Sequence, residues 1–106
     1  MDELERYIER QREWSLNTFG PGVRDEGISN HIRKELTEIQ EAPGDVMEWI
    51  DVIILALDGA LRNGYSPADI TAALLSKQAI NLEREWPDWR QFKNGEPIEH
   101  IRGAHD

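Results

Sequence analysis

The stretch over residues 46–61, VMEWIDVIILALDGAL, constrains this chain more than any other part of it. It is apolar on almost every side, yet Glu48 and Asp51 sit within it. A helix that is apolar nearly all round must be covered on several sides. A carboxylate carried under that cover is costly unless something offsets its charge. Any fold for this sequence has to supply neighbours for the helix and a counter-charge for its acids.

The neighbours are other helices, because helical periodicity dominates and strand signals are poor. The spacing predicts a first helix over about 2–17, with Asp2 as N-cap and Leu4, Tyr7, Ile8, Gln11 and Trp14 on one stripe. Gly20-Pro21-Gly22 breaks it, and a loop is expected to about Ser29. Ser29 or Asn30 can cap a second helix reaching about Ala42, which Pro43-Gly44 ends. Asp45 caps the third helix, over about 46–62, and Asn63-Gly64 stops it. Ser66-Pro67 opens a fourth, with Pro at the first helical position, running to about Glu85 before Trp86-Pro87. The tail, 88–106, is expected to be partly extended, to pack through Trp89, Phe92, Ile98 and His100, and to be disordered over 103–106. This is an all-α four-helix bundle, one domain over 1–106. So short a chain has few helices with which to cover the third, so the bundle is expected to be completed by oligomerisation, as a homodimer or homotetramer.

The counter-charge follows from the acids. Glu35-x-x-Glu38 and Glu48-x-x-Asp51 each have i,i+3 spacing, which sets two side chains on one helix face. The Pro-Gly link between the helices is so short that they should be antiparallel neighbours, with the two pairs facing each other. Four converging carboxylates repel one another without a cation. Oxygen ligands and the absence of Cys point to a hard ion, Mg²⁺ or Mn²⁺. The competing reading makes both acidic lines solvated faces, with Asp58 and Arg62 an exposed i,i+4 pair. Lys77, Asn81 and Arg84 form one stripe of the fourth helix, suited to a phosphate chain or to solvent. Trp14 and Phe19 could sandwich a planar base and Arg24 could reach a phosphate, although both rings also suit a core. His31, one turn before Glu35, reads as a helix-surface or hydrogen-bonded residue rather than a ligand.

Several classes fall away. A formal net charge of −9 argues against binding a nucleic-acid polymer. The Glu-x-x-His of carboxylate-bridged di-iron bundles and the His-Glu-x-x-His of zinc proteases are both missing. The first residues lack the apolar run of a signal peptide, and the longest apolar stretch is too short to span a membrane, so a cytoplasmic location is expected.

The paired acids, the short turn between them and Lys77-x-x-x-Asn81 resemble the all-α nucleoside triphosphate pyrophosphatases, the MazG-like superfamily. More closely, EWSLNTFGPGVRDEGISNHIRKELTEI, DVMEWIDVIILALDG, NLEREWPDWR and IEHIRG resemble the dATP/dGTP pyrophosphohydrolase domain family, which includes the phage enzymes called MazZ. The resemblance implies conversion of a purine dNTP, dGTP or dATP, to the monophosphate and pyrophosphate. It implies that Glu35, Glu38, Glu48 and Asp51 bind metal and that Lys77 and Asn81 take the phosphate and metal side of the last helix. The mechanism expected on these positions uses about two or three Mg²⁺ or Mn²⁺ ions, with Glu35 and Glu38 catalytic and Glu38 taken as the general base, Arg84 joining Lys77 and Asn81 on phosphate, and Trp14, Ser15, Phe19 and Arg24 binding the substrate. Two rivals stand beside this reading: a house-cleaning pyrophosphatase for dUTP or dCTP, and a catalytically silent helical interaction module.

Overall fold

A computed structural model describes residues 2–103. Among them are four α-helices, α1 (Glu3–Phe19), α2 (Asp25–Glu41), α3 (Val46–Arg62) and α4 (Pro67–Glu83), and a single 3-10 turn, Trp89–Gln91, with no strand. The all-α class read from the sequence is the class observed. Two compact units divide the chain, Met1–Ala72 and Ala73–Asp106, and α4 contributes to both.

The first unit is organised by α3. Asp45 caps it by accepting from the Met47 amide at 2.9 Å, and it ends at Asn63, followed by Gly64 at a φ of 97°. These are the boundaries that the capping residues predict. The turn between α2 and α3 is braced by Trp49, whose indole N–H donates to the Pro43 carbonyl at 3.0 Å. So short and braced a link lays α2 antiparallel against α3. Where they approach, Gly59 faces Ile28: a Cβ on Gly59 would lie 3.8 Å from the Ile28 side chain. Ile8, Ile28, Ile39 and Leu61 form the buried apolar core.

Three boundaries differ from the sequence reading. α2 begins at Asp25, with Arg24 as the residue before it, rather than after Ser29 or Asn30. Ile28 needs the helix in order to reach the core, and Asp25 and Glu26 place negative charge in its first turn, where the helix dipole favours it. Gly27, read as a loop residue, is tolerated inside. α1 runs two residues past Asn17 to Phe19, until Gly20 at φ 85° ends it. α4 ends at Glu83 rather than Glu85, and the Trp86 indole donates back to the Asn81 carbonyl at 2.8 Å.

The α1 stripe also shifts. Asp2 caps the helix by accepting from the Glu5 amide, but the buried line is Ile8, Gln11 and Ser15, while Leu4 and Trp14 are exposed. In α4, Ser66 and Asp69 exchange reciprocal backbone bonds: the Asp69 amide donates to the Ser66 hydroxyl and the Ser66 amide to the Asp69 carboxylate. These bonds hold the Asp69 carboxyl below its ordinary value.

The second unit folds the tail back on the end of α4. The Ile101 amide donates to the Glu85 carbonyl at 2.8 Å, and Trp86 meets His100 edge-on. The expectation of disorder over 103–106 concerns Gly103, which is described, and 104–106, which lie outside the described residues. No helix among the described residues is long and apolar enough to cross a membrane.

Candidate functional site

The antiparallel α2–α3 pair gathers the acids. Glu35, Glu38 and Glu48 each place a carboxylate oxygen within 4.8 Å of the others. Glu35 is buried, and Glu38 and Glu48 are half-buried. The His31 ring nitrogen Nε2 lies 3.1 Å from Glu35 Oε1, but Glu35 Oε2 and Glu48 Oε2 are buried with no hydrogen-bond partner. Burial pushes the Glu35 carboxyl above its ordinary value, and the Glu38 carboxyl and the charge of Asp51 push it the same way, against the pull of His31. Glu48 is raised by burial first, then by Glu38, Asp45 and Asp51. Glu38 therefore bears on both.

A buried carboxylate oxygen without a partner is a costly arrangement. Two of them in one cluster, among acids that repel, fit a hard divalent cation, which takes carboxylate oxygens as ligands. The chemistry of the donor set and the two orphaned atoms point the same way.

A cavity of about 250 Å³ extends along α3 from the cluster. Glu35 and Asp51 line it, as do Trp14, Ser15, Phe19, Arg24, Gln11 and Asp58. Asp51 and Asp58 are separated by about 10 Å of helix, and Ser15 of α1 meets α3 at Asp58. Trp14 and Phe19 meet edge to face, with centroids 5.5 Å apart and planes at 88°. The parallel sandwich suggested by the sequence is not what they form: the rings make a corner, too close for a base to enter between them. The Arg24 guanidinium lies 5.3 Å over the Phe19 ring. Gln11 is fixed at both ends, accepting from the Tyr7 hydroxyl and donating to the Ile54 carbonyl.

Asp58 and Arg62 do not form a surface pair. Asp58 is buried and the Arg62 side chain is 2% exposed. Ser15 is also buried: its hydroxyl donates to Asp58 Oδ1 at 2.7 Å and accepts from Arg62. Arg62 further reaches the Gly20 and Gly22 carbonyls. Sequence reasoning missed this network because a helical i,i+4 pair looks the same whether solvent or a distant loop covers it. The one available signal was a charged pair continuing a strongly apolar helix.

Lys77, Asn81 and Arg84 belong to the second unit. Arg84 donates to the Asn81 side-chain oxygen at 3.1 Å, and Lys77 is exposed.

A helical hairpin carrying three clustered glutamates, with the exposed Asp51 on the wall of the adjoining cavity, fits the architecture of the MazG-like all-α class. The chain belongs to the dATP/dGTP pyrophosphohydrolase family, whose sequence model matches residues 7–106. It is 40% identical over 100 residues to the Eaa protein of Salmonella phage P22; the match covers 94% of this chain but 30% of that protein, so the chain spans under a third of its length. It is 33% identical over 91 residues to the dATP/dGTP diphosphohydrolase of Cyanophage S-2L, covering 84% of this chain and 80% of that one. Its fold matches the Cyanophage S-2L MazG-like pyrophosphohydrolase, solved bound to dGDP and three catalytic Mn²⁺ ions per active site. The TM-score is 0.72 and the identity 28%, over 97% of each chain.

Proposed function

We propose that this protein is a metal-dependent pyrophosphohydrolase that converts a purine dNTP to the dNMP and pyrophosphate. The observation that carries the reading is the pair of buried, partnerless oxygens on Glu35 and Glu48 within the Glu35–Glu38–Glu48 cluster. Family membership supports the substrate class.

Glu35, Glu38, Glu48 and Asp51 are assigned as the ligands of Mg²⁺ or Mn²⁺. Divalent ions held by these four acids would supply a water of lowered pKa and neutralise phosphate oxygens. Glu38, whose carboxyl neighbours both Glu35 and Glu48, accepts the proton of the attacking water. His31 holds Glu35 Oε1, fixing the orientation of that carboxylate. The base stacks against the outer side of the Trp14–Phe19 corner, beside Arg24, and Ser15 keeps the deep wall closed. Lys77, Asn81 and Arg84 are assigned to phosphate on their spacing and on the family resemblance.

Incubation with each dNTP and Mg²⁺ or Mn²⁺, followed by chromatography, tests the reading. The expected products are dGMP or dAMP with pyrophosphate and no diphosphate intermediate. Preferred turnover of dUTP or dCTP would keep the acids and overturn the purine assignment.

The protein is assigned an oligomeric state above the monomer. Met47, Trp49 and Ile53 of α3 are each at least half exposed in the single chain, an apolar area that a second copy would cover. Light scattering should return at least twice the 12.3 kDa of one chain; a monomeric mass would remove the assignment. The expected location is the cytoplasm.

A further inference from the structure

We infer that Arg62 is a positioning residue for the base end of the cavity, acting through the Gly20-Pro21-Gly22 turn; the inference rests on the nucleotide reading above. A guanidinium carries five N–H donors in a fixed plane, and here every one is used. Nε–H is shared between the two Asp58 oxygens, at 3.1 Å each. Nη1 donates to the Gly20 and Gly22 carbonyls at 2.8 and 2.9 Å. Nη2 donates to the Ser15 carbonyl at 3.2 Å and to the Ser15 hydroxyl at 2.9 Å. A buried cation is tolerable only when paired and fully bonded, and Asp58 completes the pairing.

Those bonds join three parts of the chain: α1 through Ser15, the turn through two glycine carbonyls, and α3 through Asp58. The turn has few contacts of its own to fix its shape: a Cβ on Gly20 or Gly22 would meet nothing within 4 Å. Gly20 has φ 85° and ψ 174°, and Gly22 has φ 98°, backbone states that fix where the carbonyls point and that side-chain-bearing residues rarely adopt. Arg62 receives both carbonyls. Phe19 immediately precedes the turn and Arg24 follows it, and the two are stacked at 5.3 Å. Phe19 in turn meets Trp14. The three side chains assigned to the base therefore take their positions from a residue that holds the wall, whereas Ser15 and Asp58 line the cavity themselves. Lysine, with one compact ammonium and no planar fork, cannot hold Asp58, Ser15 and both carbonyls together.

The test is steady-state kinetics on dGTP with Mn²⁺, alongside Mn²⁺ titration followed by electron paramagnetic resonance. Arg62→Lys should raise KM roughly ten-fold, the scale of one lost base–aromatic stack. Its kcat should stay within about three-fold, the split expected when binding rather than chemistry is disturbed. Mn²⁺ affinity should match the parent. Gly20→Ala leaves Arg62 and Asp58 in place but displaces a carbonyl that Arg62 holds, and should shift KM in the same direction; it decides the matter if Arg62→Lys does not fold. An unchanged KM in either folded variant overturns the inference, and so does a loss of kcat together with Mn²⁺ affinity, which would make Arg62 a support of the acids. A parent protein that neither hydrolyses dNTPs nor binds dGDP with Mn²⁺ overturns the nucleotide reading and this inference together. An active parent with an indifferent variant overturns only the second.

Discussion

Glu35→Gln is expected to abolish turnover while leaving the helical circular dichroism spectrum intact, and Asp51→Asn to do the same. Glu35 is the most buried member of the cluster and has an oxygen with no protein partner. An amide keeps its volume and can still face His31 through the carbonyl oxygen, but it gives up the negative charge that a divalent ion requires. Changes one layer beyond a metal's ligands cost roughly 10–100-fold, so direct loss of a ligand should exceed that. The fold should tolerate both changes, because each removes one like charge from a group of mutually repelling acids. Near-normal turnover by either variant would sink the assignment of the four acids.

Adding Mn²⁺ should produce the largest change in stability. An ion that binds the folded state alone stabilises by about 2.7 kcal/mol at a hundred times its dissociation constant. For a domain of this size each kcal/mol moves the melting temperature by roughly 4–8 °C, so a rise of about 10–20 °C is expected. The silent interaction module predicts almost no shift. Without metal the pH dependence has a definite sign. Glu35 and Glu48 are raised above the ordinary value of 4.5. In the window above 4.5 the folded state holds protons that the unfolded state has lost, so stability falls as pH rises through the folded values. Metal-free protein should melt higher at mildly acidic pH than at neutral pH. Mn²⁺ should narrow or reverse that difference, because it binds the deprotonated acids. Melting curves across pH, with chelator and with Mn²⁺, test both statements.

The acid hairpin was the legible part of this molecule. Its helix boundaries are set by Asp45, by Pro43-Gly44 and by Asn63-Gly64, all local signals, and the meeting of Glu35, Glu38 and Glu48 follows from spacing and a short link. The start of α2 was hidden because Gly27 and the cap-like Ser29 and Asn30 suggested a loop, and only the packing of Ile28 decides otherwise. The base end was hidden more deeply. Ser15 and Asp58 are 43 residues apart and Arg62 is 40 from Gly22, and no periodicity in a single sequence reports such meetings. Trp14 and Phe19 stand out for their chemistry, but nothing in their spacing reports that the two rings meet at a right angle.

This division of ranges separates two kinds of evolvability. The acids span 17 positions, from Glu35 to Asp51, on one hairpin, so the part assigned to the metal is specified by a contiguous segment. The part assigned to the base is assembled from α1 and its turn against α3, at long sequence separation. Substitutions in α1 could therefore alter which nucleotide is accepted while leaving the hydrolytic hairpin untouched. A scaffold built in this way allows selectivity to drift from one descendant to another while the reaction stays the same.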